Sequence, residues 1–217
     1  ISSVVAIGAG YRPSEILDES SKYNLGPLSL GYFETKRKAE EAVLLATQRG
    51  DIQSVILNPS TIYGPADAKK GSRKTQLKVA QGRFKFYTSG GVSVVSVEDV
   101  IHGIFRGFQV GKNGQRYILS GENILIKELF NKIAKYAGVQ APSICIPNWA
   151  LHVIGKAGDI STALGKPMSL SQENAWTATL FHWFKNEKAI KELGLQFKPA
   201  DYSIQQSVQW MRENKLI

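Results

Sequence analysis

Short apolar runs alternate with helix-period segments along most of this 217-residue chain, and that alternation limits its possible folds more than any other feature. Residues 1–8 read as a buried strand running into a loop. Residues 9–28, rich in Gly, Pro, Ser and Asn, predict a long surface loop. A helix is expected over 29–49, where Ala39, Ala42, Val43 and Ala46 lie at helical spacing and Gly50 is a stop signal. A short apolar strand follows at 52–58, and Pro59 to Pro65 turn the chain. Helices are expected around 74–81 and over 98–109, the latter opening on Glu98 and Asp99. Strands are expected at 92–97 and 115–120. The helix at 126–137 is amphipathic and stops at Gly138. Strands separated by helices in this way predict an α/β architecture with a largely parallel sheet. After Pro142 the pattern changes to four helices and no strand, with Trp149, Trp176, Trp183 and Trp210 expected in the core of a small helical lobe.

Composition removes several classes of function. No apolar run approaches the roughly 20 residues needed to span a bilayer, so no membrane partner is expected. The single Cys145 cannot form an internal disulfide, which fits a reducing cytoplasm. The net charge of +9 centres on one tight cluster, Lys69, Lys70, Arg73 and Lys74. It carries no interleaved aromatics and no nucleic-acid module, so it reads as a solvated loop able to attract an anionic ligand, not as a nucleic-acid contact. His102, His152 and His182 show no metal-ligand spacing and read as structural; no metal site is expected. The chain opens Ile-Ser-Ser-Val-Val-Ala-Ile-Gly, without Met or signal-peptide pattern, like the middle of a strand. A preceding segment is therefore expected.

Tyr32-Phe-Glu-Thr-Lys36 opens the first helix, and a spacing of four puts Tyr32 and Lys36 on one helical face. A nearby ammonium stabilises a phenolate, which makes Tyr a usable acid or base near neutral pH. Alone, the spacing describes any amphipathic helix with an exposed Lys. Three other segments accompany it. Ser2 and Ser3 close the first strand, where a hydroxyl can hydrogen-bond a carbonyl or alcohol oxygen. Asn58-Pro-Ser-Thr-Ile-Tyr-Gly-Pro65 follows the next strand, and Val95-Ser-Val-Glu-Asp-Val100 leads into a helix.

In this order the four segments resemble the extended short-chain dehydrogenase/reductases, the NAD-dependent epimerase/dehydratase group. The resemblance covers nearly the whole chain. It comes nearest to bacterial dihydroflavonol-reductase-like and hopanoid-associated sugar epimerase proteins through Asn58-Pro-Ser-Thr, Tyr117-Ile-Leu-Ser-Gly-Glu-Asn123, Lys188-Ala-Ile-Lys-Glu-Leu-Gly194 and Val208-Gln-Trp210. It implies the C-terminal portion of a Rossmann-type parallel sheet over residues 1–140 and a mainly helical substrate lobe over 141–217. It also implies Tyr32 as acid/base, Lys36 tuning Tyr32 and holding the nicotinamide ribose, and Ser3 polarising the reacting oxygen. Ser2 is a second candidate beside the cofactor. Pro59, Ser60 and Thr61 would lie along the nicotinamide of NAD or NADP. Tyr63 and Trp149 are candidate substrate contacts, although Tyr-Gly-Pro is also a structural turn and Trp149 and Leu151 suit core packing equally. Asp99 reads as a cap or first-turn carboxylate.

Two departures qualify the resemblance. The family's Gly-rich loop at a helix N-terminus, which cradles the pyrophosphate, is missing; Gly8-Ala-Gly10 precedes Tyr-Arg-Pro and reads as a loop. By that resemblance, a preceding portion of about 100 residues, three or four βα units, is expected. Gly90-Gly-Val-Ser-Val-Val-Ser-Val97 also lacks the Arg with which nucleotide-sugar members grip a pyrophosphate. The expected activity is therefore oxidation or reduction of a small carbonyl or alcohol. A nucleotide-sugar epimerase or dehydratase using the same residues is the alternative, and a non-catalytic binding module of the same fold is a second one. A homodimer is implied by resemblance alone.

Overall fold

The computed structural model describes residues 1–66, 74–166, 168 and 170–217. Lys69, Lys70 and Arg73 lie outside the described residues; Lys74 is exposed.

In chain order the elements are helix α1 (Gly31–Gln48), strands β1 (Ile56–Pro59) and β2 (Thr61–Tyr63), helix α2 (Lys74–Ala80), and strands β3 (Phe86–Tyr87) and β4 (Gly91–Ser96). Helix α3 (Val97–Val110), strands β5 (Arg116–Leu119) and β6 (Glu122–Leu125), helix α4 (Ile126–Ala137) and strand β7 (Ile144–Cys145) follow. Helices α5 (Asn148–Ala163) and α6 (Gln172–Thr179), strand β8 (Phe181–His182), and helices α7 (Glu187–Leu193) and α8 (Ala200–Glu213) complete the chain.

Strand β4 is buried along its whole length, as a strand covered on both faces must be. It pairs in parallel with β2 and β8 and antiparallel with β6. Strand β1 pairs in parallel with β5, with Asn58 opposite Ile118. Two-residue β3 and β7 also pair in parallel. The sheets are mainly parallel, as the alternation predicted; β6 is the antiparallel exception.

The segment Pro59–Pro65 is more than a turn. Pro59 lacks an N–H to extend a ladder, and the Ser60 N–H still reaches the Leu119 carbonyl at 3.0 Å. One residue later β2 joins β4. The chain thus changes sheet partner at Ser60.

Residues 1–8 are a correction to the expected strand. The Ser2 N–H bonds the Leu57 carbonyl at 2.8 Å, but Val4–Ala6 coil into a 3₁₀ turn. Val4, Ala6 and Ile7 are buried all the same. The following loop is not confined to the surface. Gly10 bridges Phe181, Leu17 bridges Phe184, and Ala9, Leu17 and Leu25 are buried. Gly8 has φ +132°, and a Cβ there would meet the Asn24 side-chain oxygen at 2.4 Å. Asn24 bonds both the N–H and the carbonyl of Ala9, replacing a strand partner.

One core packs α2, α4 and α8 onto β2, β4 and β6 through Val94, Ile124, Phe130, Ile133, Ile204 and Val208. A second packs α3 and α7 onto β1 and β5 through Leu57, Val100, Leu119 and Leu193. Helices α7 and α8 therefore belong to the sheet, and only α5 and α6 pack chiefly on each other. Trp149 is 72% exposed, contrary to its expected core role, whereas the half-buried Trp176 and Trp210 pack against core clusters. No helix among the described residues is long and apolar enough to cross a membrane.

Candidate active site

Helix α1 presents two unlike faces. Ala39, Ala42, Val43 and Leu45 are exposed, while Phe33, Glu40 and Thr47 are buried. Tyr32, Lys36 and Glu40 follow one another at intervals of four and share a face. Tyr32 is 54% exposed and Lys36 half-buried, and neither side chain forms a hydrogen bond or ion pair among the described residues.

Glu40 anchors this face. Its carboxylate accepts the Asn58 side-chain amide at 2.7 Å and pairs with Arg116 at 3.2 Å. The same Asn58 nitrogen reaches the Ser3 carbonyl at 3.0 Å. The helix carrying Tyr32 and Lys36, the segment carrying Ser3, and the strand leading to Pro59, Ser60 and Thr61 are therefore tied through one buried network. Position 40 was not singled out from sequence, although its spacing from Lys36 pointed to it.

The Ser3 hydroxyl oxygen accepts the Val5 N–H at 3.4 Å, capping the 3₁₀ turn. That contact uses the oxygen and leaves the hydroxyl hydrogen free to donate. Ser2 is half-buried beside Leu57. Pro59 and Ser60 are buried and Thr61 is half-buried. The Ser60 hydroxyl and the Asn58 side-chain oxygen are buried without a hydrogen-bond partner, polar atoms that a bound group would satisfy.

Tyr63 is 1% exposed and packs in the core under β2. Its place is the structural one that the Tyr-Gly-Pro turn offered, and it lines no open surface. Trp149 lies exposed at the start of α5, whereas Leu151 is buried. Asp99 sits in the first turn of α3, whose cap is Ser96, and accepts the Lys198 N–H at 2.8 Å.

Tyr23 is the nearest competitor for an acid/base role. Burial, with the Glu34 carboxylate beside it, pushes its hydroxyl well above the ordinary tyrosine range. Arg37 stacks over its ring at 5.4 Å, so Tyr23 fastens the loop to α1 and is a poor proton donor. Among the histidines, burial pushes His182 down to about 4, against the pull of its bond to the Thr177 carbonyl. Its ring packs 5.9 Å from Phe33. His152 stacks on Trp176 at 4.3 Å, and His102 is exposed.

The N-terminus of α1 has an unexpected partner. Leu30 gives no side-chain cap, and the Tyr32 N–H instead bonds the Glu173 carboxylate, from α6, at 3.2 Å. Nothing in the sequence signals a contact between positions so far apart.

Comparison with known proteins places this chain among dehydrogenase-like relatives. The Male sterility protein family model matches residues 2–104. A putative dihydroflavonol 4-reductase of Synechocystis sp. is 29% identical over 219 residues, covering 98% of this chain and 63% of that protein. The human short-chain dehydrogenase/reductase family 42E member 1 is 27% identical over 220 residues, covering 90% of this chain and 55% of that protein. The crystal structure of gox2253 covers 100% of this chain and 66% of its own, with a TM-score of 0.84 and 29% identity. The chain thus spans less than two thirds of the length of these relatives. In its Ser, Tyr-xxx-Lys and Asn-Pro-Ser-Thr segments and in its fold, the chain is similar to these NAD-dependent reductases of the extended short-chain dehydrogenase/reductase type.

Proposed function

We propose that this chain carries the proton-handling part of an NAD(P)-dependent oxidoreductase acting on a small carbonyl or alcohol, with Tyr32 as acid/base and Lys36 and Ser3 beside it. The observation that carries the reading is the buried Ser3–Asn58–Glu40–Arg116 network. It fixes, relative to one another, the three segments whose side chains the chemistry needs.

When bound, the dinucleotide supplies or accepts the hydride; the protein orients it and handles the proton. Lys36, on the Tyr32 face and without a hydrogen bond or ion pair among the described residues, would bond the ribose beside Tyr32. Ser60, with its unsatisfied buried hydroxyl, and Pro59 and Thr61 beside it would line the nicotinamide ring. Ser3 donates its hydroxyl hydrogen to the substrate oxygen, and Tyr32 passes the proton to it in reduction or removes it in oxidation. Residues 1–140, with α7 and α8 packed on the sheet, would form most of this domain, and of the expected lobe at 141–217 the α5–α6 hairpin would be the substrate-facing part. Strand β4, where nucleotide-sugar members would present an Arg nearby, is buried throughout and carries no charge, which favours a neutral substrate.

The test uses the full-length protein. Titration with NADH and NADPH by fluorescence should give saturable binding, and Tyr32→Phe should keep that binding while lowering turnover by about 10²- to 10⁴-fold. A Tyr32→Phe protein as fast as wild type would sink the assignment.

A further inference from the structure

We infer that Glu173 is a positioning residue for Tyr32, a carboxylate latch through which the α5–α6 hairpin holds the catalytic tyrosine at the mouth of its helix. The inference rests on the assignment of Tyr32 as acid/base.

Helix α1 opens under a constraint. Its first turn leaves backbone N–H groups without intrahelical acceptors. Leu30 cannot cap them, and the first-turn acid Glu34 is turned toward Arg37, with its nitrogen at 3.2 Å. Glu173 supplies the missing acceptor. Its Oε1 takes the Tyr32 N–H at 3.2 Å, and its Oε2 lies 3.8 Å from where a Cβ on Gly31 would stand. The carboxylate therefore sits over the first two residues of α1. It is itself in the first turn of α6, so one negative charge faces the positive ends of two helices.

Tyr32 has few other restraints. Its hydroxyl bonds nothing among the described residues, and the one aromatic pair its ring forms among them is with the adjacent Phe33, edge-on at 6.2 Å. The backbone bond to Glu173 is the one tertiary hydrogen bond of this residue among those described. A tyrosine at a helix start moves with its own N–H. Without the latch the first turn frays, and the hydroxyl leaves the position that Lys36 and Ser3 define. Displacement of about 1 Å at a reacting group is enough to cost roughly 10²-fold in rate.

The latch also links the lobe to the chemistry. Helix α6 packs on α5, joined to it by the Gln172 side chain, which lies 3.1 Å from the His152 ring. A substrate that seats the hairpin would thereby seat Tyr32.

The experiment compares Glu173→Ala and Glu173→Gln in the full-length protein. Gln keeps an acceptor oxygen without the charge, and it guards against a variant that merely fails to fold. In Glu173→Ala, kcat should fall about 10- to 100-fold with KM changed less than about threefold, and Glu173→Gln should recover most of the loss. A second readout needs no turnover: in cofactor-free protein the Tyr32 amide should exchange with solvent about tenfold faster in Glu173→Ala, while amides in β4 stay unchanged. Wild-type kcat in Glu173→Ala, or an unchanged Tyr32 amide, overturns the latch. If Tyr32→Phe is inactive while Glu173→Ala is normal, only the latch fails. If Tyr32→Phe is fully active, the acid/base assignment fails, and the amide measurement still judges the contact itself.

Discussion

A carboxylate at position 40 stands where helix packing alone would place an apolar side chain. Glu40 is 5% exposed, and it is tolerated because Asn58 and Arg116 both pair with it. Removing it would leave an amide and a guanidinium facing a gap. Glu40→Ala should therefore lower stability by about 3 kcal/mol, within the range for breaking a buried pair by deleting one partner. Glu40→Gln, which can still accept from Asn58, should lose less. Urea denaturation of both variants measures the difference, and equal stability of Glu40→Ala and wild type would mean that the network holds nothing. The residue scale also marks what the sequence discloses. Tyr32, Lys36 and Ser3 are legible as candidates because the resembled family has that spacing and order. Glu40 lay on the same four-residue period, but a period does not say that its partners come from strands 18 and 76 positions away. Tyr63 shows the converse. Its aromatic ring beside a Gly-Pro turn suits a pocket or a core equally in sequence, and only its 1% exposure places it.

The legibility of the elements follows their physical cause. Helix α4 was readable almost to the residue because local signals fix both ends. Glu128 accepts the Leu125 N–H at its start, and Gly138, with φ 73°, takes the left-handed turn at its end. The first segment failed as a strand because its hydrophobic run reports burial, which a 3₁₀ turn can satisfy as well. Strands β3, β6, β7 and β8 are two to four residues long, too short to leave a period, and exist through their partners. The α5–α6 hairpin depends on another kind of signal, the glycines of α5. A Cβ on Gly158 would lie 1.9 Å from the Leu170 carbonyl oxygen, and one on Gly155 would lie 3.0 Å from the Gln172 backbone. Neither contact can yield without moving a backbone. Gly158→Ala should push α6 away from α5 at a cost of about 1–3 kcal/mol, despite alanine's better helix propensity. It should also weaken the His152–Trp176 stacking and shift tryptophan emission to the red. Unchanged emission and stability would show that the helices can separate freely at this point.

At the scale of the molecule, stability should be divided unevenly. Helices α4 and α8 close on β4 from one core, and α3 and α7 close on β1 and β5 from the other. The α5–α6 hairpin has neither support. Trp149, Val153, Ile160 and Leu164 of α5 and its C-cap are 72%, 59%, 63% and 76% exposed, so its apolar face contributes little burial. Opening the hairpin exposes Leu151, Ala175 and the face of Trp176 packed on the Leu25–Phe33 cluster, less apolar area than opening β4, which exposes both cores. Native-state hydrogen exchange should therefore resolve at least two levels. The amides of α5 and α6 should exchange through a sub-global opening costing a few kcal/mol, and those of β4, α4 and α8 only near global unfolding, which for domains costs about 5–15 kcal/mol. Low denaturant should speed the second group and leave the first almost unaffected. Uniform protection of both groups would show one cooperative unit, and a substrate seating the hairpin could then act on Tyr32 only by displacing the whole fold. Two levels would mean that the part holding Glu173 can shift while the network around Ser3, Asn58 and Glu40 stays in place. Tyr32 would then be adjustable on a rigid floor.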